Sequence, residues 1–177
     1  MKIGDKGKFK DDKDGQFYNW EVFKDGKMWM TQNYNYKSPN SVCYENNEAN
    51  SSKYGRMYDG NEAKSLAPAG WRLPSQSDFD SLSSGAGGAK AITVDGDMGL
   101  NLKFGGLCYK NNGEFKFGEE NTFGSYWTKY NQGDQNGGKP AAWDYKIYKI
   151  RMRSGNEYQI QGAFLILTNS KCYVRYI

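Results

Sequence analysis

Histidine is absent from the 177 residues. With it goes the side chain most often used to move protons near neutral pH and the commonest transition-metal ligand, so acid–base catalysis is disfavoured. Cysteine is nearly absent. Cys43, Cys108 and Cys172 are an odd number with no C-x-x-C spacing, which indicates neither a zinc site nor a disulfide framework. No apolar run nears the roughly 20 residues of a spanning helix, and Met1-Lys2-Ile3-Gly4-Asp5 lacks the apolar segment of a secretory signal. The expectation is a chain with no membrane span, made and kept in the cytoplasm. A dominant charge is missing too: 24 basic and 20 acidic residues are scattered and net to +4, which gives no footprint for nucleic acid.

What is present is aromatic and glycine-rich. Only 37 % of residues are apolar, yet 16 % are aromatic, with 14 Tyr and 22 Gly, a balance that favours strands and loops over helices. The length suits one domain burying close to about 70 % of its unfolded surface. Within it, Ala67-Pro68-Ala69-Gly70-Trp71-Arg72-Leu73-Pro74-Ser75 is the organising stretch. Pro74 keeps Leu73 extended, and Ser75 is a natural N-cap with Asp78 three residues on, so a helix is predicted over residues 76–84. Phe79 and Leu82 share one of its faces, and Trp71 and Leu73 are expected to be buried with them as the core. Asn61 to Leu66 reads as a second short helix. Phe17 to Phe23 and Met28 to Tyr36 flank Lys24-Asp25-Gly26-Lys27, the pattern of a hairpin. Residues 37–56 have loop chemistry, anchored by Tyr44 and Tyr54. Short strands linked by glycine turns are expected from Gly99 to Trp127, an exposed loop at 131–140, two strands around Ser154-Gly155-Asn156, and a closing strand over Lys171 to Ile177.

Gly70-Trp71-Arg72-Leu73-Pro74-Ser75 with its acidic helix resembles the centre of the Fibrobacter succinogenes major paralogous domain family. The resemblance extends to Asp14-Gly15, Trp29-Met30, Asn33-Tyr34-Asn35-Tyr36, Cys43-Tyr44-Glu45-Asn46 and Tyr54-Gly55-Arg56-Met57-Tyr58. It continues through Gly99-Leu100, Gly105-Gly106, Gly113-Glu114-Phe115, Gly124-Ser125-Tyr126-Trp127-Thr128 and Val174-Arg175, in the family's order. It covers residues 14–177 and implies an α+β, C-type-lectin-like domain, two short helices packed on a twisted, mostly antiparallel β-sheet. Relatives often carry cysteines where this chain has Ser51, Ala67 and Tyr176, and Cys43 alone stands at a matching position. Loss of those staples is what maturation in a reducing compartment would produce.

Residues 1–13 alternate Lys, Asp and Gly around Ile3 and Phe9, too few apolar groups for a core. They read as an N-terminal arm, either a disordered end or an extended segment; the expectation is that it orders only on docking to a carrier protein or neighbouring subunit, with Ile3 and Phe9 as the docking residues and 14–177 as the domain. Around residues 130–151, Tyr130, Gln135, Trp143, Tyr148 and Arg151 have the composition of a recognition surface, rigid amphipathic rings beside adaptable hydrogen-bonding groups. Lys146, Lys149, Arg151 and Arg153 interleave with Tyr145 and Tyr148, but strand period puts Lys146 opposite the others, against one basic face for nucleic acid.

No catalytic residue, metal or cofactor is assigned. Asp95-Gly96-Asp97-Met98-Gly99 echoes a calcium loop, but the twelfth position is Gly106 where a bidentate Glu is needed, so it reads as a turn. The Glu-Pro-Asn and Trp-Asn-Asp motifs by which many C-type lectins hold calcium and sugar are missing. The resemblance to adhesive modules and the cytoplasmic features together favour a non-enzymatic binding or display module on a bacteriophage virion, as a fibre or capsid decoration. Expected partners are a protein carrier or neighbouring subunits and a host-surface glycan or protein, and a homo-oligomer is compatible. A bacterial cell-surface or secreted adhesin is the alternative, and an enzyme on this fold has the least support.

Overall fold

The computed structural model describes residues 1–94, 96–129, 145–153, 157–161 and 170–177, with the backbone alone for 145–149, 152–153 and 157–161. The architecture is α+β. Strands β1 (Lys6–Lys10), β2 (Phe17–Val22) and β3 (Met28–Met30) form an antiparallel sheet in that order. Helices α1 (Ala49–Tyr54), α2 (Gly60–Ser65) and α3 (Gln76–Gly85) follow. The larger sheet has β5 (Glu114–Glu120), β4 (Gly105–Asn111), β6 (Phe123–Lys129), β7 (Tyr145–Arg153) and β8 (Glu157–Gln161) side by side, with β9 (Ser170–Lys171) also paired to β4. Its ladders are antiparallel except where β4 meets β6 at Gly106 and Gly124. This mixed α+β arrangement is compatible with the lectin-like fold that the resemblance implies. Among the described residues no helix is long and apolar enough to cross a membrane.

Local chemistry sets the elements near the organising stretch. Ser75 Oγ accepts from the Asp78 amide at 3.1 Å while Asp78 Oδ2 accepts from the Ser75 amide at 2.7 Å, a reciprocal cap that starts α3. Arg72 Nη1 (2.9 Å) and Lys27 Nζ (3.0 Å) join the same carboxylate. Burial pushes the Asp78 carboxyl up, but the Arg72, Ser75 and Lys27 contacts outweigh it and hold the group well below the usual carboxylate range. Lys27 thereby ties the hairpin turn to α3. In that turn Asp25 accepts from the Lys27 amide (3.1 Å) and Trp29 Nε1 (2.9 Å), while Gly26 takes the positive φ. Phe79 and Leu82, fully buried, then pack against Trp29, Leu100, Tyr126 and Tyr173.

The polar composition still makes a core because tyrosine rings fill it and their hydroxyls find main-chain acceptors. Tyr58 Oη donates to Tyr36 O (2.7 Å), Tyr176 Oη to Ala63 O (2.8 Å), Tyr173 Oη to Gly105 O (2.8 Å) and Tyr126 Oη to Lys103 O (2.8 Å). Each ring buries its apolar body without orphaning its oxygen. The last eight residues, 170–177, are buried throughout and run between the two sheets: Met30 N donates to Tyr176 O, Tyr34 N to Val174 O and Trp127 N to Tyr173 O.

Two expectations are corrected. The arm expected at 1–13 contains a strand: Lys6–Lys10 pairs with residues 17–21 of β2, from Lys6 opposite Glu21 to Lys10 opposite Phe17, and Phe9, half-buried, stacks on Tyr18 (5.5 Å) and lies 4.7 Å from Trp71. Phe9 therefore docks on its own domain, whereas Ile3 is 62 % exposed. Two apolar residues could not form a core, but a core formed elsewhere gives a strand of alternating Lys and Gly or Phe an edge to pair with, and the lysines suit the free edge. For the same reason Trp71 is half-buried on the rim, under Phe9, while Leu73 is buried as expected and Trp29 takes the deeper place. Deleting residues 1–10 strips Phe9 from Tyr18 and Trp71. A loss of roughly 2 kcal/mol, or a fall of about 4–8 °C in Tm, is expected in a thermal melt, against none for a detached arm.

Candidate cleft for a polar ligand

Of the residues expected to form a recognition face, Tyr130, Gln135 and Trp143 lie outside the described residues. Tyr148 is placed by its backbone alone, opposite Tyr126 in the β6–β7 ladder. The Arg151 side chain is engaged: Nη2 donates to Glu119 Oε2 at 2.6 Å, and the guanidinium lies 5.6 Å from the Phe123 ring centroid. The 131–140 loop and Asp95 of the calcium-like turn are likewise outside the described residues. Among the described residues no group of three or more His, Cys, Asp or Glu is placed to hold a metal ion.

The motif segments named above converge elsewhere, on Arg175. Its guanidinium is fully buried and donates from Nε to Asn33 Oδ1 (3.0 Å), from Nη1 to Met30 O (3.1 Å) and Leu100 O (2.8 Å), and from Nη2 to Asn101 O (3.0 Å). Burial brings its pKa down to about 10, which leaves it charged at neutral pH. Asn33 in turn donates from Nδ2 to Tyr54 O (2.7 Å), and the Arg56 amide donates to Tyr34 O (3.2 Å). Gly55 sits at this crossing with φ +80°, where a Cβ would stand 2.7 Å from Asn33 Cβ. Only glycine accommodates both the left-handed backbone and that approach. Asn33-Tyr34, Tyr54-Gly55-Arg56, Leu100 and Arg175 thus form one buried junction.

Above the junction opens a cleft of about 260 Å³, just under the size of ordinary small-molecule pockets. Thr31, Gln32 and Asn35 form one wall, Ser51 and Ser52 of α1 a second, and Asn101 and Lys103 a third. Gln32 is committed to β2, its Oε1 accepting from Asn19 Nδ2 at 3.0 Å. The Thr31 and Ser51 hydroxyls and the Lys103 ammonium make no side-chain hydrogen bond among the described residues, and Asn35 Oδ1 is buried with no partner. Each wall therefore offers a neutral or cationic hydrogen-bonding group not spent on the fold. The arrangement suits a small, hydroxyl-rich group gripped by hydrogen bonds, since the walls carry several donors and acceptors and little apolar surface. α1, which supplies one wall, falls in the stretch expected to be a loop. It lacks apolar periodicity and buries only Tyr54, so nothing but its Gly55 cap marked it.

A search of the curated proteins and of the solved structures finds no match. Comparison with known families matches residues 25–177 to the Fibrobacter succinogenes major domain. The match spans the hairpin turn, the α3 cap, the junction on Arg175 and all three walls of the cleft, and the chain belongs to the Fibrobacter succinogenes major domain family.

Proposed function

We propose that the chain is a non-enzymatic binding and display module, and that its cleft takes a hydroxyl-rich surface ligand such as a terminal sugar. The observation that carries this reading is the set of uncommitted polar groups, from Thr31, Ser51 and Lys103, on three separate walls of one cleft. Three groups facing one small ligand fix its orientation, the usual source of specificity in such sites. A glycan array probed with the purified protein tests it. Thr31→Val, Ser51→Ala and Lys103→Ala should each weaken binding of the best neutral glycan about tenfold, roughly the worth of one well-made hydrogen bond, without lowering Tm. Binding that survives all three substitutions unchanged would refute the reading.

The setting we favour is a bacteriophage virion, with the module as a fibre or capsid decoration assembled in the host cytoplasm. Its support is that Cys43, Cys108 and Cys172 are all buried and joined by no disulfide, so the fold closes without oxidation. A bacterial surface adhesin is the alternative setting. The thiols separate the two physically: they should resist alkylation in the native protein, react in denaturant without reductant, and leave Tm unchanged when reductant is added. Burial pushes the Cys108 thiol up to about 12, which removes most of its nucleophilic thiolate at neutral pH. A reductant-sensitive Tm would favour the secreted setting.

A further inference from the structure

A second pocket, of about 440 Å³, opens beside the β5–β4–β9 edge, away from the cleft. Strand register builds its floor. Lys110 of β4 is opposite Phe115 of β5, and Cys108, two residues earlier on the same face, is opposite Lys171 of β9. The ladder thus sets two lysines and one aromatic ring on a single face. Lys110 Nζ lies 5.1 Å and Lys171 Nζ 5.2 Å from the Phe115 ring centroid. The Lys171 side chain is only 7 % exposed. Among the described residues its ammonium donates one hydrogen bond, to Asn40 O at 2.5 Å, and stands 3.9 Å from Asp59 Oδ2, too far for a hydrogen bond. Among the described residues this buried ammonium, with three N–H groups, has one acceptor in hydrogen-bond reach. Lys110 is exposed and makes no ion pair among the described residues.

We propose that this pocket binds a sugar acid, with the ligand carboxylate between Lys110 and Lys171. Among the described lining residues, two ammonium groups face one carboxylate, that of Asp59, which leaves one positive charge to neutralise, the charge of one carboxylate, whereas a dianionic phosphate would bring excess negative charge close to Asp59. Asp59 Oδ2 and the Ser170 hydroxyl line the same pocket and supply acceptors for ligand hydroxyls. A uronate carries both kinds of group on one ring.

Isothermal titration of the whole chain with glucuronate, glucose and inorganic phosphate tests this. Glucuronate should bind at least tenfold more tightly than glucose or phosphate, and more weakly as salt is raised. Lys110→Ala should lower glucuronate affinity about tenfold with Tm unchanged, and Lys171→Met should lower it further. Thr31→Val and Ser51→Ala, in the other cleft, should leave it intact, so failure of the cleft reading and failure of this one are distinguishable. Equal binding of glucose and glucuronate, stronger binding of phosphate, no measurable binding of glucuronate, or full affinity in Lys110→Ala would each overturn the proposal.

Discussion

Replacing Arg175 with Met should leave little folded protein. Arg175→Met keeps much of the side-chain bulk but removes every donor, orphaning Asn33 Oδ1 and the carbonyls of Met30 and Leu100 in a buried site and freeing the half-buried Asn101 carbonyl beside the cleft. Each unsatisfied buried acceptor costs about 1–3 kcal/mol, so the three buried ones amount to a loss that approaches the whole stability of a typical domain, about 5–15 kcal/mol. Relief from burying a charge opposes this, as the lowered pKa of Arg175 shows, and limits the loss rather than reversing it. Arg175→Lys should fall between, because one ammonium cannot reach four acceptors arranged for a planar fork. Arg151→Ala is the control: its partner Glu119 is 41 % exposed, and surface pairs of that kind contribute about 0–1 kcal/mol. Urea denaturation of the three variants separates these outcomes. An Arg175→Met protein with wild-type stability would show that the junction does not hold the fold.

The second large effect is at alkaline pH. Burial raises the hydroxyl pKa of Tyr18, Tyr34, Tyr58, Tyr126, Tyr173 and Tyr176 above the ordinary value of 10.0. For an acid whose folded pKa is raised, the unfolded chain gives up its proton first. The stability these groups contribute is complete below about pH 10 and is lost as pH climbs toward their folded values. Each contributes up to about 1.4 kcal/mol per pH unit in that window, so six together outrun a domain's margin within one or two units. Cys108, raised to about 12, adds in the same direction from its ordinary value of 9.0 upward. Arg175 opposes them, because its lowered folded pKa lets the native state shed a proton between about 10 and 12.5, but it is one group against seven. The expected result is a single steep transition above pH 10 in which tyrosinate absorbance and loss of near-ultraviolet circular dichroism coincide. Gradual ionisation of all 14 tyrosines around pH 10 with the dichroism intact would contradict the burial described here.

The parts of this fold legible in the sequence are those decided within a few residues. Ser75 and Asp78 specify the start of α3 by themselves, and the Asp25-Gly26 turn specifies the β2–β3 hairpin. The β1 strand was not legible, because Phe9 acquires its partners only once Tyr18 and Trp71 are in place. Nor was the cleft. Its walls come from Thr31, Gln32, Asn35, Ser51, Ser52, Asn101 and Lys103, all ordinary polar residues whose meaning arises from being brought together. Arg175 read as one more landmark near the end of the chain, yet it reaches Asn33 across 142 positions. A long-range contact to neutral acceptors leaves no charge pattern or spacing to detect. The pocket at Lys171 depends on β9 pairing with β4, which likewise cannot be seen from either segment alone.

The central claim, that the family's landmarks build a junction whose open side is a ligand site, is tested most directly by mapping amide chemical shifts while the labelled protein is titrated with the neutral glycan it binds best. The account predicts the largest shifts at Thr31, Asn35, Ser51 and Lys103, with little change along β7 at Tyr148 and Arg151. Shifts concentrated on β7, with the cleft silent, would contradict it.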